Sequence, residues 1–368
     1  MCDSILTMKK ELLQEIIKDF QDTNWNNVKP RLLEVPINSG KVVTLSGVRR
    51  SGKTFILRDI INKLKQKGIS PENILYFNFE DERIDNTTFE LDLILQAYRE
   101  LYPNKNLKDV YFFFDEIQII KNWEKFIRRI DSTISSNIFI TGSNSKLLSR
   151  EIATTLRGRT ITYEVYPLSF KEYLQFNNIK IDIVTSTGKA KIISAMRKFL
   201  LNGGFPELIN FSKEVREKTL QQYFNVMLFS DLIERYEISQ TAILKYFCKR
   251  LIGASAKEFS TNKIYNELRS QGYKIGKDAL YQFQENVEAI YLVLFLQKYS
   301  ESVINSEFSQ KKVYTIDTGL ANALNFKFQD HEGRMLENLI FLELIKAGKE
   351  VYYYKDKYKC DFIIQKSP

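Results

Sequence analysis

Eight consecutive residues, Gly47-Val48-Arg49-Arg50-Ser51-Gly52-Lys53-Thr54, satisfy the spacing G-x-x-x-x-G-K-[ST]. In such a loop successive backbone N–H groups converge on phosphate oxygens, the lysine neutralises the outer phosphates, and the hydroxyl is a hard oxygen donor for Mg²⁺. The expected phosphate-binding set is Gly47, Val48, Arg49, Arg50, Ser51, Gly52, Lys53, Thr54 and Phe55, with Lys53 also acting in the chemistry. About 60 residues further on, the apolar run Val110 to Phe114 ends in Asp115-Glu116. A strand ending there places carboxylates at the carboxyl edge of a parallel sheet, beside the loop. Asp115, with Thr54, is then expected to hold Mg²⁺, and Glu116 to polarise the attacking water.

Two further groups are candidates. The run Ile138 to Thr141 is followed by Gly142-Ser143-Asn144, whose polar side chains would face the terminal phosphate. Ser143 or Asn144 reads either as a sensor or as the N-cap of a following helix, a position that Ser and Asn also favour. Arg150, Arg157 and Arg159 then follow, and Arg159 is the first candidate for an arginine finger reaching a neighbouring subunit. Solvated or structural arginines would look the same.

These residues need a sheet to position them. Val42 to Ser46, Ile74 to Phe79, Val110 to Phe114, Ile138 to Thr141 and Ile161 to Val165 are short apolar runs, separated by helical patterns such as Thr54 to Lys67 and Trp123 to Ser132. That alternation predicts an open parallel sheet covered by helices, an α/β P-loop NTPase domain over residues 1–166. After Pro167 the pattern becomes helical, with Phe170 to Phe176, Ala190 to Leu201 and Glu217 to Tyr236, and GGFPE at 203–207 reads as a tight turn. Residues 167–240 are therefore a helical domain. In 241–300, helices Thr261 to Ser270 and Lys277 to Ala289 flank Gln271-Gly272 and precede the β-like run Ile290 to Leu296, the order of a winged helix-turn-helix. Residues 301–368 form a small α+β segment.

Composition narrows the chemistry. The 368 residues contain 15 Gly, 7 Pro, 3 Cys and 1 His, His331. One histidine and no C-x-x-C spacing exclude structural zinc, HExxH proteases and His-based deaminases, and no G-x-S-x-G elbow accompanies His331. Three scattered thiols and an N-terminus without an apolar h-region point to a cytoplasmic protein. The longest apolar run, Ala289 to Leu296, is far too short to span a bilayer, so no membrane partner is expected. The net charge of +9 is densest in 241–280, where eight Lys or Arg stand against three acids. Double-stranded DNA is the candidate partner there, although helix 277–289 sets Lys277 against Asp278, Glu285 and Glu288.

The segments SGVRRSGKTFILRDI, FFFDEIQIIKNWEKFIRRI, IFITGSNSKLLSREIATTLRGRTITYEVYPLSFKEYL and FLLNGGFPELI resemble the AAA-superfamily ATPases that carry the domain called AAA_14 followed by DUF4143. The resemblance implies an AAA/ASCE-type fold and binding of ATP and Mg²⁺. It places Gly47, Gly52, Lys53 and Thr54 on the nucleotide loop, Asp115 and Glu116 on Walker B, Ser143 on the first sensor and Arg159 in a Gly-Arg pair. It also implies that the carboxyl part is a winged helix followed by a restriction-endonuclease-like end, with Glu337 and Asp361 where such folds hold metal. A working nuclease would need a second acid and a lysine on the next strand, and the sequence stops at Pro368, so cleavage is not expected.

Three functions compete at this point. The first is an Mg²⁺-dependent ATPase that moves its helical and winged-helix modules, as a homo-oligomer if the arginine finger operates. The second is a slow nucleotide-gated switch that binds DNA or a protein, and the third is an ATPase with an attached nuclease. The absence of an N-K-x-D guanine-reading tetrapeptide favours adenine.

Overall fold

The computed structural model describes residues 2–23, 25, 28–85, 89–144, 156, 158–302, 304, 306, 309–324 and 332–364, with side chains from Thr7 onward. The chain divides into two compact units, Met1–Gly47 with Gly52–Val165, and Val48–Ser51 with Tyr166–Pro368.

The first unit is a five-stranded parallel sheet. Its strands are β1 (Val42–Ser46), β2 (Ile74–Asn78), β3 (Tyr111–Asp115), β4 (Ile138–Gly142) and β5 (Thr160–Glu164), in the order β2-β3-β4-β1-β5. Helices α1 (Cys2–Asp22), α2 (Lys53–Gln66), α3 (Asp92–Leu101) and α4 (Trp123–Thr133) cover it. Successive side chains of a strand face opposite ways, and β3 shows the result. Phe113 joins Ile56, Leu57, Ile60, Ile61 and Leu64 of α2, whereas Phe112 and Phe114 join Leu95 of α3 and Phe126 and Ile130 of α4. Burial on both faces explains why β2, β3 and most of β4 read as apolar runs, while β5 at the sheet edge is partly exposed. The strand lying between the loop strand β1 and the Asp-Glu strand β3 is β4, which leads to Ser143, and β2 lies at the outer edge.

The second unit begins with three helices, α5 (Phe170–Phe176), α6 (Ser186–Asn202) and α7 (Lys213–Val226). The chain does not continue as regular α-helix to Tyr236, because Met227–Glu234 is π-helical. Then come α8 (Thr241–Gly253), β6 (Lys257–Phe259), α9 (Thr261–Ser270), α10 (Lys277–Ala289), β7 (Val293–Leu296) and β8 (Lys311–Thr315), whose strands form an antiparallel sheet ordered β6-β8-β7. Short α11 (Thr318–Ala323), α12 (Glu332–Lys346) and the hairpin β9 (Val351–Lys355) and β10 (Lys359–Ile364) complete it.

The Gly-Gly of GGFPE has a long-range reason as well as a turn to make. Gly203 has φ +77°, and a Cβ there would lie 2.0 Å from Oδ1 of Asp317, while Gly204 N–H donates to Asp317 Oδ2 at 2.6 Å. Asp317 also caps α11 by accepting from Leu320 N–H at 2.9 Å. Among the described residues, no helix is long and apolar enough to cross a membrane.

Candidate active site

The loop is delivered by β1 and leaves through α2. Gly47 cannot carry a side chain, because a Cβ there would lie 2.0 Å from the carbonyl oxygen of Val165. Gly52, at φ 97°, is the N-cap of α2, whose first turn holds no acidic residue. The N–H groups of the first turn and the helix dipole therefore favour an anion at this end. Lys53 is only 4% exposed. Its ammonium donates to Gly47 O at 3.1 Å and pairs with Glu116 Oε1 at 3.2 Å. Phe55, expected among the binding residues, is half exposed, with the Arg58 guanidinium 5.0 Å above its ring.

The Asp-Glu pair lies at the carboxyl end of β3 as expected, and burial gives the two acids different environments. Asp115 is fully buried and accepts from Tyr76 Oη at 2.8 Å, from Thr141 Oγ1 and from the Thr54 hydroxyl. Burial pushes its pKa up, reinforced by the neighbouring Glu116 charge, while the three hydroxyls oppose the shift. Thr54 and Asp115 thus bring two hard oxygen donors to one point, which fits Mg²⁺. Glu116 adopts a left-handed backbone, φ 53°, a strained conformation for a residue with a side chain. Its N–H donates to Thr141 Oγ1 at 2.8 Å, which fixes the turn.

Gln118, which the sequence reading did not single out, joins this group. Its Nε2 donates to Glu116 Oε2 at 2.7 Å and to Ser143 Oγ at 3.4 Å. Lys53, Glu116, Gln118 and Ser143 thereby form one connected cluster. Ser143 and Asn144 are both buried. Arg159 is elsewhere: its backbone carbonyl accepts from Val42 N–H at the amino end of β1, and its side chain pairs with Asp131 at 3.3 Å. A strand of five residues separates that edge from the loop by roughly 13 Å, so Arg159 does not reach the loop of its own chain. Arg150, Arg157 and His331 lie outside the described residues.

The loop tip, Val48–Ser51, groups with the second unit. Arg49 Nε donates to both carboxylate oxygens of Asp231, at 3.0 and 2.9 Å, and Arg235 lies 3.3 Å from the same carboxylate. Asp231 is 2% exposed and sits in the π-helical stretch. Arg50, at φ 65°, lies 3.5 Å from Glu207 and over the ring of Tyr223. Removing a buried partner strands the opposite charge. Asp231→Ala is therefore expected to lower stability by roughly 2–4 kcal/mol, discounted because Arg49 is partly exposed, and to weaken nucleotide binding by misplacing the tip. Thermal melts and nucleotide titration check this, and a variant matching wild type in both would remove the anchor role.

At the carboxyl end, Glu337 and Asp361 do approach a lysine, but it comes from β8 rather than from a strand after Asp361. Lys312 Nζ donates to Glu337 Oε1 at 2.9 Å and Asp361 Oδ1 at 2.7 Å, and Tyr314 Oη donates to Glu337 Oε1 at 2.8 Å. These carboxylates raise the lysine's pKa against the effect of its burial. Among the described residues, no three His, Cys, Asp or Glu side chains are grouped to hold a metal.

Residues 39–174 match the family model described as the AAA domain. Residues 193–331 match a domain of unknown function, DUF8612, where the sequence resemblance named DUF4143. The uncharacterized protein MJ1544 of Methanocaldococcus jannaschii is 38% identical over 365 residues, covering 97% of this chain and 79% of that one. An uncharacterized protein of Haemophilus influenzae is 31% identical over 361 residues, covering 98% and 84% respectively. Among solved structures, the Walker-type ATPase PABY2304 of Pyrococcus abyssi aligns over 78% of this chain and 91% of its own, with 15% identity and a TM-score of 0.47.

Proposed function

Because the chain belongs to the same family as MJ1544 and matches the AAA domain over residues 39–174, we propose that it is an ATPase that binds ATP with Mg²⁺ and hydrolyses it. The observation that carries this reading is the convergence of Lys53, Glu116, Gln118 and Ser143 beside the oxygen pair of Thr54 and Asp115. Bound Mg²⁺ would supply charge that neutralises the phosphate oxygens, with Thr54 and Asp115 holding it. Lys53 gives up Glu116 for the incoming phosphates. Glu116, still oriented by Gln118, then has an oxygen free to polarise water, while Ser143 donates toward the transferred phosphoryl group. A part for Arg159 in this chemistry requires a second subunit.

One feature favours the slow-switch form of this reading. Both carboxylate oxygens of Glu116 are already engaged, by Lys53 and by Gln118, so the base must be released before it can act. Calorimetric titration with ATP tests the binding step. Affinity is expected to fall about tenfold or more when Mg²⁺ is chelated, and equal affinity with and without Mg²⁺ would remove Thr54 and Asp115 from metal binding.

We read residues 241–300 as a winged-helix module, completed by β8, that meets double-stranded DNA. Lys245, Lys249, Lys257, Lys263, Arg269, Lys274 and Lys277 are exposed, and Arg250 is paired with Glu267. Duplex binding is expected to weaken steeply with salt, and Lys263→Glu with Lys274→Glu to reduce the salt slope. Salt-independent binding, or none at low salt, would remove DNA from the account. The Lys312 bridge between Glu337 and Asp361 favours a structural rather than a cleaving carboxyl end.

A further inference from the structure

A cleft of about 670 Å³ in the second unit, formed by α5, α6 and the segment between them, has no part in the nucleotide chemistry. Its walls include Asn177, Lys180, Thr187, Lys191, Ser194 and Lys198. Residues 187, 191, 194 and 198 recur at the spacing that puts them on one face of α6. That helix carries Lys189, Lys191, Arg197 and Lys198 and no acid in its 17 residues. Among the described residues the one acid lining the cleft, Asp182, is committed to its own turn. Its Oδ1 accepts from Val184 N–H at 2.9 Å and Thr185 N–H at 3.1 Å, and its Oδ2 accepts from the Thr185 hydroxyl. Those bonds hold its carboxyl below the usual range. The segment between α5 and α6 that carries Lys180 also holds aliphatic side chains in water: Ile181 is 57% exposed, Ile183 69% and Val184 84%.

We propose that this face is a docking site for an acidic amphipathic segment of a partner protein, its carboxylates meeting Lys180, Lys191 and Lys198 and its aliphatic side chains covering Ile181, Ile183 and Val184. A nucleic acid would satisfy the lysines only. A single strand binds through aromatic stacking platforms, and none of the exposed large hydrophobics in 177–198 is aromatic. A second copy of this chain brings its own net charge of +9 toward a basic surface, which opposes self-docking. Burial of the three aliphatic side chains supplies the affinity, and the charges set orientation and encounter. The inference is independent of the ATPase reading.

The test uses the full chain and fluorescence anisotropy. The probe is a labelled synthetic peptide of about 16 residues, with Glu along one helical face and Leu along the other, long enough to form a helix on binding. A peptide with the same residues in scrambled order and a single-stranded oligo-dT are the controls. The amphipathic peptide is expected to bind, and the scrambled peptide about tenfold more weakly. Lys191→Glu with Lys198→Glu, and separately Ile183→Ser with Val184→Ser, should each weaken binding about tenfold with melting temperatures unchanged, since all four side chains are exposed. Failure of wild type to bind, or wild-type affinity in both double variants, overturns the proposal. So does oligo-dT binding that is lost in the lysine variant but kept in the Ile183/Val184 variant, which would assign the face to nucleic acid. Self-association in sedimentation that the Ile183/Val184 variant abolishes would assign it to a second copy.

Discussion

Glu116→Gln is expected to leave ATP binding within about twofold of wild type while lowering phosphate release by roughly 10²–10⁴, the usual contribution of a positioned general base. The amide preserves the shape of the side chain and can still accept from Gln118, so the turn at Glu116 should persist. It removes the negative charge that pairs with Lys53 at 3.2 Å, which frees the ammonium for phosphate and makes tighter binding the direction of any change. Nucleotide titration and single-turnover phosphate release separate the two effects. Unaltered turnover in this variant would show that water is activated by another group.

Lys53→Ala is the second large effect, with a different signature. It deletes a 4% exposed cation that the loop amides cannot replace, so ATP affinity is expected to fall by roughly 10² and turnover to fall below detection. It also leaves the buried carboxylate of Glu116 without its cation, a loss of roughly 2–3 kcal/mol after allowance for water reaching the site. The double variant Lys53→Ala, Glu116→Gln should recover most of that stability without recovering turnover. A single variant that melts like wild type would mean that the pair contributes nothing to the resting state.

How much of this was legible in the sequence follows from how far each contact reaches. Strands β1 to β4 could be read because both faces of the sheet are buried there, leaving apolar runs such as Phe112-Phe113-Phe114 with no alternation to confuse them, whereas β5 is only partly buried. The loop and the Asp115-Glu116 pair could be read because their chemistry needs fixed local spacing. Helix α3 did not stand out as a separate element. Its apolar residues Leu93, Ile94 and Leu95 are consecutive, a short run that by itself fits a strand as well as a helix, and they gain meaning only from the sheet face they cover. Gln118, Tyr76 and Thr141 were missed for a related reason. Each reaches Glu116 or Asp115 through the register of parallel strands or the shape of a turn, and no motif spacing records that. Asp231, separated from Arg49 by 182 positions, left no sequence signal at all. Arg159 shows the converse. It lies close to the sensor residues in sequence, yet it stands just before β5, which runs parallel to β1, and so at the amino edge of the sheet.

The central claim is that Lys53, Thr54, Asp115 and Glu116 form a site that hydrolyses ATP. The measurement that bears on it most directly is phosphate release from ATP by the wild-type chain, with and without Mg²⁺, in the presence and absence of duplex DNA at low salt. The account predicts Mg²⁺-dependent release that both Lys53→Ala and Glu116→Gln abolish. Release that survives either substitution, or that proceeds equally without Mg²⁺, would contradict it.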